Sequence, residues 1–140
     1  MQIFPLSEGT FTVDRSKQFV PFDAASDDLQ ARPVGSLLVE IQPFAVVTEN
    51  DIVLFDTGLG FSSNGRPQIY DHLAQHNLDP LRVSKVLMSH LHKDHSGAVA
   101  TMIHGSLQLC FPNATYYIQR QELELALEKK SSSYAHLSPD

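Results

Sequence analysis

The sequence predicts an α/β fold of the α+β type, and three observations carry that expectation. Residues 36–55 alternate apolar and polar side chains around a polar turn, the period of a half-buried β-hairpin. Residues 67–76 space their apolar side chains three and four apart, the period of an amphipathic helix. Val86-Leu87-Met88 is a short apolar run that stops at a cluster of histidines, the pattern of a buried strand that ends in a polar site.

Taken in order, the first 35 residues mix short β-prone pieces with turn formers. Residues 10–13 and 18–20 read as strands, and Asp27, Asp28, Arg32 and Pro33 belong to a surface segment. In the stretch 36–48, Leu37, Val39 and Ile41 alternate with Leu38, Glu40 and Gln42, so it reads as the first strand of the hairpin. Glu49-Asn50-Asp51 is the turn, and Ile52-Val53-Leu54-Phe55, apolar on both faces, is a central strand. That strand ends in Asp56-Thr57-Gly58-Leu59-Gly60. A carboxylate at the end of a buried strand is costly unless it is paired or near a metal, the alternative being a turn aspartate that caps backbone N–H groups. Gly58, Gly60 and Gly65 are out of register with the G-x-G-x-x-G of a dinucleotide loop.

The helix over 67–76 starts near Pro67 and turns Ile69, Leu73 and Tyr70 inward. His72 and His76 stand four apart, but Leu73 occupies the place of the glutamate in H-E-x-x-H, and both read as solvent-facing. Asp79-Pro80 reads as a cap and first turn, and a strand over 84–89 follows. Beyond the histidines the expected elements are a helix over 97–104, strands over 107–109 and 115–119, and a helix over 122–130. Leu123, Ala126 and Leu127 face inward on that last helix, and residues 131–140 form a loop.

The most informative segment is His90-Leu91-His92-Lys93-Asp94-His95, three imidazoles and one carboxylate within six positions. Imidazole and carboxylate are common ligands of zinc and other borderline divalent metals. A single helix face would not gather them, since positions two apart on a helix diverge by about 200°. On an extended segment such positions share a side, so His90, His92 and Asp94 would converge. Asp94 and His95 complete the candidate ligand set.

Composition narrows the function. At 42% hydrophobic and 19% charged, the 140 residues describe an ordinary globular domain with room for a core. The net charge of −6, with no basic cluster larger than Lys129-Lys130, argues against nucleic acid or an anionic membrane as partner. No apolar stretch approaches the roughly 20 residues that cross a bilayer, and the N-terminus has no basic start followed by an apolar core. A single cysteine, Cys110, sits among Leu107, Leu109 and Phe111 and reads as a buried small hydrophobe. Asn113-Ala114-Thr115 fits a glycosylation sequon but reads as a turn, and a cytoplasmic location is expected.

A buried strand ending in Asp56-Thr57-Gly58, a helix, and then Ser89-His90-Leu91-His92-Lys93-Asp94-His95-Ser96-Gly97 resembles the metallo-β-lactamase superfamily. Phe111-Pro112-Asn113-Ala114, followed by Tyr117-Ile118-Gln119-Arg120-Gln121-Glu122, is similar to its lactonase-like branch. The resemblance spans most of 36–130. It implies the N-terminal αβ half, with one mixed β-sheet, of a four-layer αββα sandwich that holds two metals. His90 and His92 would then hold the first ion, Asp94 and His95 the second, and Asp56 would orient the loop from behind. Zinc is the default, with iron, manganese or cobalt as alternatives. A hydroxide bridging the metals would attack a small ester, lactone or thioester, with Asp94 orienting it or shuttling a proton. Lys93 would meet an anionic substrate or simply be solvated.

Members of that family run to about twice this length, and the second half supplies the remaining ligands. Neither His104 nor His136 sits in the expected context, and two ligands per metal fall short of a catalytic zinc. Residues 1–140 therefore read as one incomplete domain, cut off near 131–140 and inactive alone. Its uncovered apolar face would drive self-association or await the missing C-terminal half. The alternative is a non-catalytic metal-binding half-fold that assembles with itself or a partner. An oxidoreductase on the same scaffold is disfavoured, because His92 stands where diiron members carry glutamate.

Overall fold

Alternating apolar side chains in the middle of the chain build a five-stranded sheet, as a computed structural model describes it over residues 1–103, 105–128 and 134. Its strands are β1 (Gln2–Pro5), β5 (Phe44–Val47), β6 (Ile52–Phe55), β9 (Val83–Leu87) and β12 (Thr115–Tyr117), adjacent in that order. β5 pairs antiparallel with β1 and β6, whereas β9 pairs parallel with β6 and β12, so the sheet is mixed. A second sheet joins β3 (Phe19–Pro21), β2 (Gly9–Val13) and β4 (Leu37–Ile41). Two small ladders complete the β-structure. β7 (Ser62–Ser63) pairs with β8 (Arg66–Pro67), and β10 (Ala100–Ile103) pairs with β11 (Ser106–Leu109). The helices are α1 (Gln68–Gln75), the single turn α2 (Lys93–Ser96) and α3 (Arg120–Leu127).

The core lies on one face of the mixed sheet. Ala45, Leu54 and Val86 meet Ile69 and Leu73 from α1, with Cys110 and Phe111 closing the layer. Burying Ile69 and Leu73 contributes roughly 1.5–3 kcal/mol each, enough to hold an eight-residue helix that would not form alone. The other face keeps large apolar side chains exposed among the described residues. Ile3, Phe44, Phe55 and Tyr117 share it by strand alternation, and all four remain exposed. Among the described residues, no helix is long and apolar enough to cross a membrane.

Several expectations are corrected. The stretch 36–48 is not one strand: it breaks at Gln42-Pro43, where Pro43 has no N–H to donate and its carbonyl instead accepts from Leu6 N–H at 2.8 Å. β4 therefore pairs with β2, while β5 keeps the expected hairpin with β6 and adds β1. Residues 97–103 of the expected 97–104 helix are not helical. The β-branched Thr101 and Ile103 lie in β10, which returns as β11 through Gly105 at φ +80°. The helical turn comes earlier, at α2, so Asp94 does not share an extended side with His90 and His92. On α3 only Ala126 is buried, and Leu123 and Leu127 are exposed. His72 and His76 are half-buried, and His76 stacks on Phe4 with ring centroids 4.7 Å apart. His104, residues 129–133 and the tail with His136 lie outside the described residues.

Two contacts fix the loops at the ends of β6 and β9. Gly60, at φ +76°, lies against Gly97, and a Cβ on either glycine would collide with the other loop's backbone. Glu8 ties the second sheet to the first. Its backbone N–H donates to Ile41 carbonyl at 2.8 Å, and its carboxylate accepts from Leu59 N–H at 2.7 Å. That carboxyl is 8% exposed, and its other oxygen is buried without a partner. Burial raises its pKa to about 7, and the Leu59 hydrogen bond opposes the rise only in part.

Gly60→Ala and Gly35→Ala share a left-handed backbone, but nothing lies near Gly35. Urea denaturation is expected to show a loss of about 1–2 kcal/mol for Gly35→Ala and roughly 1–3 kcal/mol more for Gly60→Ala. Glu8 favours its protonated form in the folded state. Its stabilising effect is complete below the ordinary value near 4.5 and is lost as pH rises through about 7. Unfolding free energy should therefore fall by roughly 3 kcal/mol across that window, and Glu8→Gln should flatten the profile.

Candidate metal centre

The site forms where two parallel strands end side by side. β6 delivers Asp56 and β9 delivers Ser89 and His90, because their register leaves both strand ends at the same edge of the sheet. Asp56 holds a left-handed backbone at φ 60°, unusual for a non-glycine residue, with its N–H bonded to Leu87 carbonyl at 3.0 Å. That conformation directs its carboxylate across to the second loop. One oxygen accepts from Ser89 N–H at 2.7 Å, and the other accepts from Ser89 Oγ at 2.7 Å and His95 Nδ1 at 2.8 Å. Asp56 is thus both a turn aspartate and a partner of the histidine loop.

Backbone bonds zip the loops together. Thr57 N–H donates to His95 carbonyl at 2.7 Å, and Gly97 N–H donates to Gly58 carbonyl at 2.8 Å. Ser96, buried, donates its hydroxyl to His92 carbonyl at 3.0 Å and so closes the α2 turn on itself. In this frame the His90 ring lies 4.6 Å from that of His92 and 4.0 Å from that of His95. His95 Nε2 is 3.4 Å from an Asp94 oxygen. The imidazole of His95 therefore sits between two carboxylates.

The electrostatics follow from that clasp. The Asp56 hydrogen bond, reinforced by Asp94, raises the His95 pKa to about 9 against the cost of burial. Burial pushes Asp56 and Asp94 upward, but hydrogen bonds to His95, joined at Asp56 by two from Ser89, outweigh it, and both end below the usual carboxylate range. His90 is shifted down by burial and by the neighbouring His95 and His92. The two carboxylates thus favour positive charge at His95, while His90 is pushed toward its neutral form. Tautomers are constrained as well. Ser89 Oγ gives its hydrogen to Asp56, so toward His90 Nδ1, 3.0 Å away, it acts as acceptor. His90 thereby carries its hydrogen on Nδ1 and keeps the Nε2 lone pair, the arrangement a metal-ligating histidine needs.

This donor set suits a borderline divalent ion. Among the described residues, however, no three His, Cys, Asp or Glu side chains converge as a complete site would. The expected residues His90, His92, Asp94, His95 and Asp56 do come together, as pairs and a clasp. His72 on α1 and His76 just after it do not join the clasp, and Lys93 is exposed. Beside the clasp opens a cavity of about 290 Å3, lined by the chain from Val39 to Pro43 with Asp56, Asp94 and His95. Sequence reasoning missed Ser89 and Glu8, whose polar side chains act through partners far along the chain and leave no local pattern. It also missed Glu122 as a contact: its carboxylate accepts from Leu91 N–H at 2.8 Å.

Comparison with known proteins agrees with this geometry. Residues 39–105 match the family model described as the metallo-beta-lactamase superfamily. The N-acyl homoserine lactonase AttM of Azorhizobium caulinodans is 45% identical over 49 residues, which is 35% of this chain and 15% of that protein. AttM of Agrobacterium fabrum is 41% identical over 56 residues, or 40% and 18%. Among solved structures, a probable metal-dependent hydrolase from Staphylococcus aureus superposes with a TM-score of 0.71 at 23% identity, covering 95% of this chain and 53% of that one. AidC, a dizinc quorum-quenching lactonase, superposes with a TM-score of 0.66 at 22% identity, covering 96% and 49%. These structural likenesses are of fold, and this chain spans about half the length of each solved chain. Residues 39–105 are thus similar to the metallo-beta-lactamase superfamily, and the chain has the fold of about half of each of these solved chains.

Proposed function

We propose that this chain carries half of the two-metal site of a hydrolase that opens a small ester, lactone or thioester. The observation behind the reading is the clasp at the ends of β6 and β9, where three imidazoles and two carboxylates gather. The lactonase names of the relatives supply the substrate class. His90 and His92 would hold one ion, and Asp94 and His95 the other. Asp56 would fix the orientation of His95 from behind. Zinc suits these donors best, and iron, manganese or cobalt would accept them. Bound there, such ions polarise a carbonyl and make water nucleophilic near neutral pH.

The chain's own residues supply the rest. Asp94 stays ionised and faces the cavity, so it can orient a water molecule, take its proton and return it to the leaving oxygen. Val39, Ile41 and Pro43 give the cavity an apolar wall for an acyl body. Two protein donors per ion fall below the three of a catalytic zinc, so residues 1–140 act as one incomplete domain. The chain alone is expected to take up zinc or cobalt but not to open lactones above the uncatalysed rate.

A second reading, a half-fold that assembles with itself, is favoured by one observation, the apolar outer face with Ile3, Phe44, Phe55 and Tyr117 exposed. Sedimentation velocity at micromolar concentration is expected to show association, and a compact monomer would remove that reading. For the metal site, cobalt uptake followed by absorption spectroscopy is expected to fall at least about 10-fold in affinity on His92→Ala. No uptake by the unaltered chain, or uptake indifferent to His92, would defeat the hydrolase reading.

A further inference from the structure

Glu122 lies on α3, 31 residues beyond the loop it touches. Its Oε1 accepts from Leu91 N–H at 2.8 Å, and Leu91 is the residue between His90 and His92. The same oxygen accepts from the Tyr134 hydroxyl at 3.1 Å, and the Tyr134 ring lies 5.2 Å from the ring of His92, tilted by 54°. The helix bearing Glu122 is anchored to the sheet independently. β12 runs parallel to β9, and Met88 N–H donates to Tyr117 carbonyl at 2.9 Å just before the loop begins. The loop is therefore held from two sides, by Asp56 behind His95 and by Glu122 behind Leu91.

We propose that Glu122 is the positioning residue of the His90–His92 pair, a role that rests on the metal-site reading above. The backbone between two alternating ligands sets the angle between their imidazoles. A bond from a carboxylate to that one N–H is stronger and more directional than a bond to water. It fixes the peptide plane before any ion arrives, and Tyr134, held by the same oxygen, packs on one face of His92. The pair thus meets a divalent ion already oriented, without the entropy loss of ordering the loop on binding.

Zinc affinity of the 140-residue chain, measured by competition with a chromogenic chelator, tests this together with hydrogen exchange at Leu91 in metal-free protein. Glu122→Ala is expected to weaken zinc about 10- to 100-fold, and Glu122→Gln, which keeps an oxygen acceptor, to stay within about threefold of the unaltered chain. Glu124→Ala on the same helix should change nothing. Leu91 exchange should speed up in Glu122→Ala and stay slow in Glu122→Gln. Equal zinc affinity and equal Leu91 exchange in all variants would overturn the proposal, and so would a Glu122→Gln chain as impaired as Glu122→Ala. If the unaltered chain takes up no zinc, the metal-site reading fails. Unchanged Leu91 exchange in Glu122→Ala would then still overturn the positioning role by itself.

Discussion

Everything at the candidate site depends on two loops lying backbone against backbone. Gly60 and Gly97 cross so closely that neither has room for a Cβ, and that approach lets Thr57 and Gly58 bond the chain around His95 and Gly97. A sheet alone would leave the ends of β6 and β9 adjacent but free. The interlock turns adjacency into a fixed distance, and only at a fixed distance can Asp56 reach both Ser89 and His95. The left-handed backbone of Asp56 is a local cost of order 1–3 kcal/mol that these bonds must offset. Local strain of this kind persists where the surroundings over-determine it.

The interlock also explains the charge distribution. Two carboxylates close to one imidazole would repel each other if His95 were neutral, so the clasp stabilises a cation between them. His90, next to that cation, is pushed toward its neutral form. The loop therefore separates a cation-holding end, Asp56–His95–Asp94, from His90, which is pushed toward its neutral form.

How much of this was legible in the sequence depended on the range of the interaction. The strand over 52–55, the helix near 68–75, the Asp79 cap and the ligand cluster each write a local pattern, and the structure places the first three where the pattern puts them. The break at Gln42-Pro43 was missed because apolar alternation runs straight through it, and only the missing N–H of Pro43 marks the change of sheet. Residues 97–104 read as a helix because Gly97 and Ala98 suit a helical exit. Pairing of β10 with β11 decided otherwise, which no local preference announces. Glu8 and Ser89 were invisible for a different reason. A lone polar residue looks the same in a sequence whether its partner is water or a backbone N–H 51 positions away.

The uncovered sheet face and the paired donors are two aspects of one constraint. A strand buried on both faces needs a layer on each side, and β6 has apolar residues on both but a helix on only one. On the proposed reading the ligand loop follows β9, which pairs with β6, so a layer over Phe44 and Phe55 would lie beside β9 as well. Burial of the outer face and completion of the coordination shell would then be the same event. A metal ion with two donors is weakly held, and an apolar face without a neighbour is weakly stable. On the proposed reading one partner would meet both deficiencies, so metal binding and assembly should be thermodynamically linked, each strengthening the other by the same factor.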